Sequence, residues 1–150
     1  MTDSLRSHLG WLLAVRREAG QSVVELALLL VLLTPLIVGS VDLGRAYFDY
    51  DLLAHAANEG ARRASFDRDT TNITSTTRTA SGRLSIPAAN VAVTCYVGAT
   101  TTTRTCVSVT LNDSIQVTAT STFTPITPAI GRILPGGVLT LSASARRTFQ

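Results

Sequence analysis

An almost unbroken apolar run restricts this chain more than any other feature: it extends from Val23 to Val41, with one carboxylate, Glu25, near its front edge. As a helix the run would be roughly 28 Å long, at about 1.5 Å per residue. A bilayer's hydrocarbon core is about 30 Å thick, so the segment is just long enough to span it. It reads as a membrane anchor. Glu25 is the anomaly, because an isolated carboxylate in hydrocarbon costs about 2.5–3.5 kcal/mol at a helix centre and less near an end. Pro35 sits mid-run and is expected to kink the helix or loosen a turn, since it lacks one backbone donor and crowds the preceding turn.

Residues 1–20 carry Arg6, Arg16 and Arg17 around a short apolar patch, and the next arginine is Arg45. This excess places the leader in the cytoplasm and the rest of the chain outside, with membrane lipid around residues 21–41. An ordinary secretory signal, cut near Val38 and Ser40, competes for the same segment. The apolar run is longer than a usual signal core, and a carboxylate interrupts its start. An uncleaved anchor displaying an extracytoplasmic binding module is the other alternative.

Residues 42–65 lack proline and are rich in alanine, a strong helix former. Ala46, Tyr50, Leu53, Ala57, Ala61 and Ala64 recur at helical spacing, so one helix is expected from about Ser22 to Ser65. Arg45 with Asp49, and Glu59 with Arg63, stand four apart and are expected to pair on its surface. Residues 66–90 turn polar and read as a loop or a frayed helix end. From 91 to 150 the pattern is period two. Four strands are expected around Val91–Val97, Val107–Leu111, Ile115–Phe123 and Leu139–Ala143, forming an antiparallel sheet with one wet face. A short helix is expected between Ile126 and Leu134. The fold class is therefore α+β: a long N-terminal transmembrane helix whose outer half packs on a small antiparallel sheet.

The two cysteines, Cys95 and Cys106, both lie beyond the anchor, which fits one disulfide in an oxidising compartment; two free buried thiols are the alternative. Direct pairing of Cys95 with Cys106 in a hairpin would set Val93 opposite Ser108 and send the apolar residues to opposite faces. A β-bulge near the turn is expected to reconcile them.

No catalytic constellation is visible. His55 stands on the Ala-rich helix as a surface or interface residue, and His8 falls in the leader. No phosphate loop follows a strand. Two cysteines and one histidine at these spacings are too few for a metal site. Asp42, Asp49 and Asp51 read as a solvated charged face. The thirteen arginines are scattered, lysine is absent and aromatics are few, which argues against nucleic-acid binding. The chain reads as a non-enzyme with no cofactor.

Glu25 is the fifth residue after Gly20, downstream of Arg16-Arg17. This resembles the processing site of type IV pilin-like proteins, which are cut after a glycine by a prepilin peptidase and keep a glutamate at the fifth mature position. The string Gly20-Gln-Ser-Val-Val-Glu25, the apolar run, Asp42-Leu-Gly-Arg-Ala46 and Ala56-Ala-Asn-Glu-Gly-Ala-Arg62 together resemble the TadE-like family of tight-adherence (Flp, type IVb) pilus systems. One departure is Leu26, where related proteins often have an aromatic. The resemblance implies a pilin-like fold and a minor pilin or pseudopilin acting in pilus assembly. It implies cleavage between Gly20 and Gln21, and a role for Glu25 in pairing with the new α-amine of a neighbouring subunit. The implied partners are the prepilin peptidase, other pilin-like subunits and the pilus assembly platform.

Overall fold

A computed structural model describes residues 3–150, with side chains from Gly20 onward. The side chains of Arg6, His8, Arg16 and Arg17 lie outside the described residues. The chain divides into two compact units at the Val41–Asp42 junction. Helix α1, Asp3–Ala64, carries Pro35 inside it and ends with Arg62 and Arg63, cations that complement the helix C-terminus. The remaining elements are helix α2 (Thr70–Ala80), strands β1 (Val91–Tyr96), β2 (Thr103–Arg104) and β3 (Ser114–Phe123), the short helix α3 (Pro128–Ile133), and strand β4 (Leu139–Thr148). The architecture is α+β.

The sheet is wholly antiparallel in the order β2-β1-β3-β4. Its register places Val91, Val93 and Cys95 opposite Ala119, Val117 and Ile115, and Ala119 opposite Ala143. All of these residues share one face, as the period-two alternation requires. Leu53, Ala57, Ala61 and Ala64 of α1 and Ile73 of α2 close the core over it. The opposite face is polar. There the Arg146 guanidinium lies 4.3 Å from the Tyr96 ring centroid, and its Nε donates to Ser114 Oγ at 2.8 Å.

Gly60 marks the tightest approach of α1 to this core. A Cβ built there would lie 2.1 Å from Thr77 Oγ1 and 3.1 Å from Val117 Cγ1. Thr77 is fully buried, and its hydroxyl donates to Ile73 O at 2.8 Å.

The polar stretch 66–90 is not a loop throughout, because α2 occupies its centre. Asp69 caps that helix, its carboxylate accepting from the Thr71 amide at 2.8 Å. Ile73 and Thr77, four apart, supply a narrow buried stripe. Thr77 and Thr79 donate their hydroxyls to carbonyls one turn back, so polarity here is satisfied within the helix.

The expected second strand at Val107–Leu111 does not form. On that edge β1 pairs with only the two residues of β2, Cys95 with Arg104 and Tyr96 with Thr103. The chain then turns through a 3-10 segment at Cys106–Ser108. This turn brings Cys106 to Cys95 in a disulfide with a Cα separation of 5.3 Å, so no bulge is needed to reconcile the register. Closing a loop of this length contributes about 3 kcal/mol through the unfolded state. Val109 is buried while Val107 is 80 % exposed, so the alternation read from the sequence is not used.

What organises this turn is Asp113. Its carboxylate accepts the Thr110 amide at 2.9 Å, the Gly98 amide at 2.9 Å, the Thr110 hydroxyl at 2.9 Å and the Arg104 guanidinium at 2.6 Å. Gly98, at φ 58°, supplies the left-handed residue that aims its amide there. The Thr110 and Gly98 amides foremost, with the Thr110 hydroxyl and Arg104, hold the Asp113 carboxyl well below the usual carboxylate range. A depressed folded-state pKa stabilises the fold above the unfolded value of about 3.9, and that stabilisation drains away as pH falls below it. Acid melts should therefore show a loss beginning near pH 4. In Asp113→Asn the melting temperature is expected to be lower at neutral pH and to converge on the parent's in acid. Parallel acid dependences for the two proteins would contradict this assignment.

The surface ion pairs also differ from those expected. Glu59 pairs with Arg62 rather than Arg63, and Arg63 bridges to Asp67 at 2.8 Å. Asp49 reaches Arg83 at 3.0 Å rather than Arg45. Asp49 thus takes a tertiary partner in place of a helical pairing worth only a few tenths of a kcal/mol, while the other two pairs stay local, three and four residues apart.

Candidate functional site

The residues singled out by sequence fall mostly on α1. Gly20 and Gln21 are neighbours on it with Glu25 one turn further, and all three are exposed. A Cβ added at Gly20 would meet nothing within 4 Å, so the fold makes no demand for glycine there. The helix from Gly20 is long and apolar enough to cross a membrane. Every large apolar side chain from Val23 to Val41 is exposed, with none turned into a protein core. A helix apolar on all sides belongs in lipid or against other helices.

Within this run Thr34 and Ser40 satisfy their hydroxyls on their own helix, Thr34 on Leu30 O and Ser40 on Ile37 O, each at 2.7 Å. That arrangement suits hydrocarbon, where no water completes a hydrogen bond. Glu25 differs. Its carboxylate can only accept, and helix amides C-terminal to the first turn are already committed to backbone carbonyls. No ion-pair or hydrogen-bond partner for Glu25 exists among the described residues.

One turn beyond the run, Asp42 and Arg45 do something sequence alone does not suggest. Asp42 is 3 % exposed, not part of a solvated charged face. Its two carboxylate oxygens accept the backbone amides of Ile126 at 2.9 Å and Thr127 at 2.8 Å. Arg45 bridges to Asp42 at 3.4 Å and stacks 5.3 Å from the Phe123 ring centroid. Together they pin the segment from Phe123 to Thr127 onto α1, directly after the apolar run ends. The signal was missed because a carboxylate that accepts backbone amides selects no partner side chain. Asp49 is tied to Arg83 instead, and Asp51 is exposed. His55 is exposed, as expected.

Cys95 and Cys106 are bonded to each other in the unit from Asp42 to Gln150. Among the described residues no group of three or more His, Cys, Asp or Glu could hold a metal ion. Among the described residues, shallow surface hollows such as the one lined by Arg62, Ser65, Arg146 and Arg147 are open to solvent and bring no nucleophile beside a base.

Residues 20–62 match the family described as TadE-like protein. That span begins at Gly20, includes Glu25 and Asp42-Leu-Gly-Arg45, and ends two residues past Gly60. No curated protein and no solved structure matches the chain.

Proposed function

We propose that this chain, TadE-like over residues 20–62, is a membrane-anchored, pilin-like component of a tight-adherence pilus system. Its role is minor pilin or pseudopilin, exercised through assembly rather than catalysis and without a cofactor. The observation that carries the reading is Glu25: a carboxylate without a partner among the described residues, set in an otherwise self-satisfied apolar helix. Cleavage after Gly20 by a prepilin peptidase creates an α-amine on Gln21, with a pKa near 8 in water. In a bundle of such helices the amine of one subunit meets Glu25 of the next, each offsetting the other's desolvation. Wrong axial registers leave the carboxylate unpaired, so the pair specifies register more than it adds stability. The arginines of the leader hold residues 1–20 on the cytoplasmic side, and Asp42–Gln150 lies outside, where the disulfide persists. The partners are the peptidase, other pilin-like subunits and the assembly platform.

N-terminal sequencing and intact mass of protein purified from cells test this. A mature chain beginning at Gln21 is expected, and Gly20→Ala is expected to accumulate the uncut form. The substitution is structurally clean, because the added methyl meets open space. A chain beginning at Val41 indicates a secreted domain instead. An uncut parent chain indicates a plain anchored module, and the assembly role of Glu25 then loses its basis.

A further inference from the structure

The two edges of the sheet are finished differently. On one side β2 is two residues long, and the chain then turns away through the disulfide-held segment at Cys106–Ser108. On the other side β4 runs for ten residues and ends the order β2-β1-β3-β4. Its ladder with β3 continues residue by residue from Leu139 to Thr148, without a bulge, and the strand holds no proline. In an antiparallel ladder every second residue turns its N–H and C=O away from the partner strand. Among the described residues nothing bonds those outward groups of β4. A long edge left straight is a template for a further strand, and natural proteins usually shorten, bulge or cover it.

The alternation beside the edge and the charge at its end specify the strand that fits. On the core side β4 carries Leu139, Leu141, Ala143 and Ala145, with Leu139 exposed and Leu141 partly buried; on the other side Thr140, Ser142 and Ser144 are all exposed. A segment alternating apolar and hydroxyl side chains extends both faces. At the C-terminal end of β4, Arg146 and Arg147 border two adjoining hollows, one with Arg62 and Ser65, the other with Ala99 and Asn112. Neighbouring carboxylates are already matched, Glu59 by Arg62, Asp67 by Arg63 and Asp113 by Arg104. Arg146 stacks on Tyr96 and donates to neutral oxygens, those of Ser114, Gly98 and Thr100. Arg147 is exposed, and its side chain has no hydrogen bond, ion pair or ring contact among the described residues. Two cations therefore stand uncompensated at one end of an open edge, and a carboxylate is the group that complements them.

We propose that β4 is a docking edge for an extended segment of a partner protein, which adds antiparallel to it and places acidic side chains from its N-terminal end against Arg146 and Arg147. Antiparallel addition continues the pattern of a wholly antiparallel sheet, and it sets the N-terminal end of the segment beside the C-terminal end of β4. A second copy fits less well. Pairing β4 with β4 antiparallel, centred on Ala143, sets Arg146 and Arg147 across from Thr140 and Leu139 and leaves both cations without a carboxylate. The edge lies wholly within Asp42–Gln150 and depends neither on cleavage after Gly20 nor on the pairing of Glu25.

Amide hydrogen exchange of the full chain in detergent tests this, with a short acetylated peptide amide of alternating Val and Thr that begins with a pair of Asp. In excess, this peptide is expected to slow exchange at alternate residues of β4, and to slow it less when the Asp pair is replaced by Asn or by Lys. Its dissociation constant, read by fluorescence anisotropy of the labelled peptide, is expected to rise with salt, and by about 2–5-fold in the Asn form, the size of a solvent-exposed charge pair. Arg147→Glu alters a side chain that holds nothing in the fold, and is expected to reverse the order so that the Lys peptide binds more tightly than the Asp peptide. Equal protection by the Asp, Asn and Lys peptides removes the acidic partner and overturns the proposal. Binding that leaves β4 unprotected means the arginines act as a charge patch, and overturns strand addition. No binding in large excess, with β4 amides exchanging freely, excludes the docking edge. Alternate β4 amides that are already slow in the protein alone, and speed up on dilution, mean that a second copy occupies the edge, which also overturns the proposal.

Discussion

Glu25→Gln is expected to leave the protein inserted, folded and cut after Gly20, yet unable to associate stably with neighbouring pilin-like helices. Glutamine keeps the size of the side chain, removes the charge and turns one acceptor oxygen into a donor amide. In the proposed assembly the Gln21 ammonium of one subunit would then face a neutral amide in a low-dielectric bundle. Stripping one partner from a buried ion pair leaves the other charge desolvated and uncompensated, which lowers an association constant by about 100-fold or more. Cross-linking of membranes between α1 helices, quantified against the parent, measures this. Glu25→Asp, which keeps the charge but shortens the reach, should recover part of the signal. Equal cross-linking of parent and Glu25→Gln would remove the register role, even with normal processing at Gly20. Since Glu25 is exposed on the isolated helix, folding of the unit from Asp42 to Gln150 should be the same in all three proteins.

The largest effect on stability is expected at Gly60. A valine there must displace Thr77, whose hydroxyl already bonds Ile73 O, and must press on Val117 in the central strand. Overpacking of a dense core costs about 1–3 kcal/mol, and this site meets two elements at once. For a unit of this size the melting temperature should fall by about 10 °C or more. Gly44→Val is the control, because a Cβ there meets nothing within 4 Å. Both substitutions alter helix propensity by the same amount, so the difference between them isolates packing. Thermal unfolding of the full chain in detergent, followed by circular dichroism, reads it. Equal melting temperatures would mean that α2 can move away from α1 at little cost.

Gly60 also clarifies the family resemblance. The string Ala56-Ala-Asn-Glu-Gly-Ala-Arg62 keeps one side of α1 small, and the structure shows Ala56, Ala57, Gly60 and Ala61 buried where α2 and the sheet close in. Asp42 and Arg45 of the Asp42-Leu-Gly-Arg string pin the β3–β4 connection. The matched span thus joins an apolar run, a clamp and a packing face on one helix.

Much of this was present in the sequence. The long apolar helix was legible because its run of apolar residues matches the length of a bilayer's hydrocarbon core. The continuing helix and strands β1, β3 and β4 were legible because burial of one face imposes periods of 3.6 and 2. The disulfide followed from two cysteines placed beyond an anchor. What the sequence could not supply was anything decided by a carboxylate reaching backbone. Asp113 replaces the expected strand at Val107–Leu111 by collecting the amides of Gly98 and Thr110. Asp42 ties α1 to amides 84 and 85 residues away. Backbone amides are present at every non-proline residue, so such bonds leave no complementary side chain to find. The same holds for the helix in 70–80, where one buried stripe of Ile73 and Thr77 sufficed against a polar composition. Local patterning determined which segments are helix, strand and apolar run; tertiary packing decided where the strands stop, which charges are buried and what each of those charges holds.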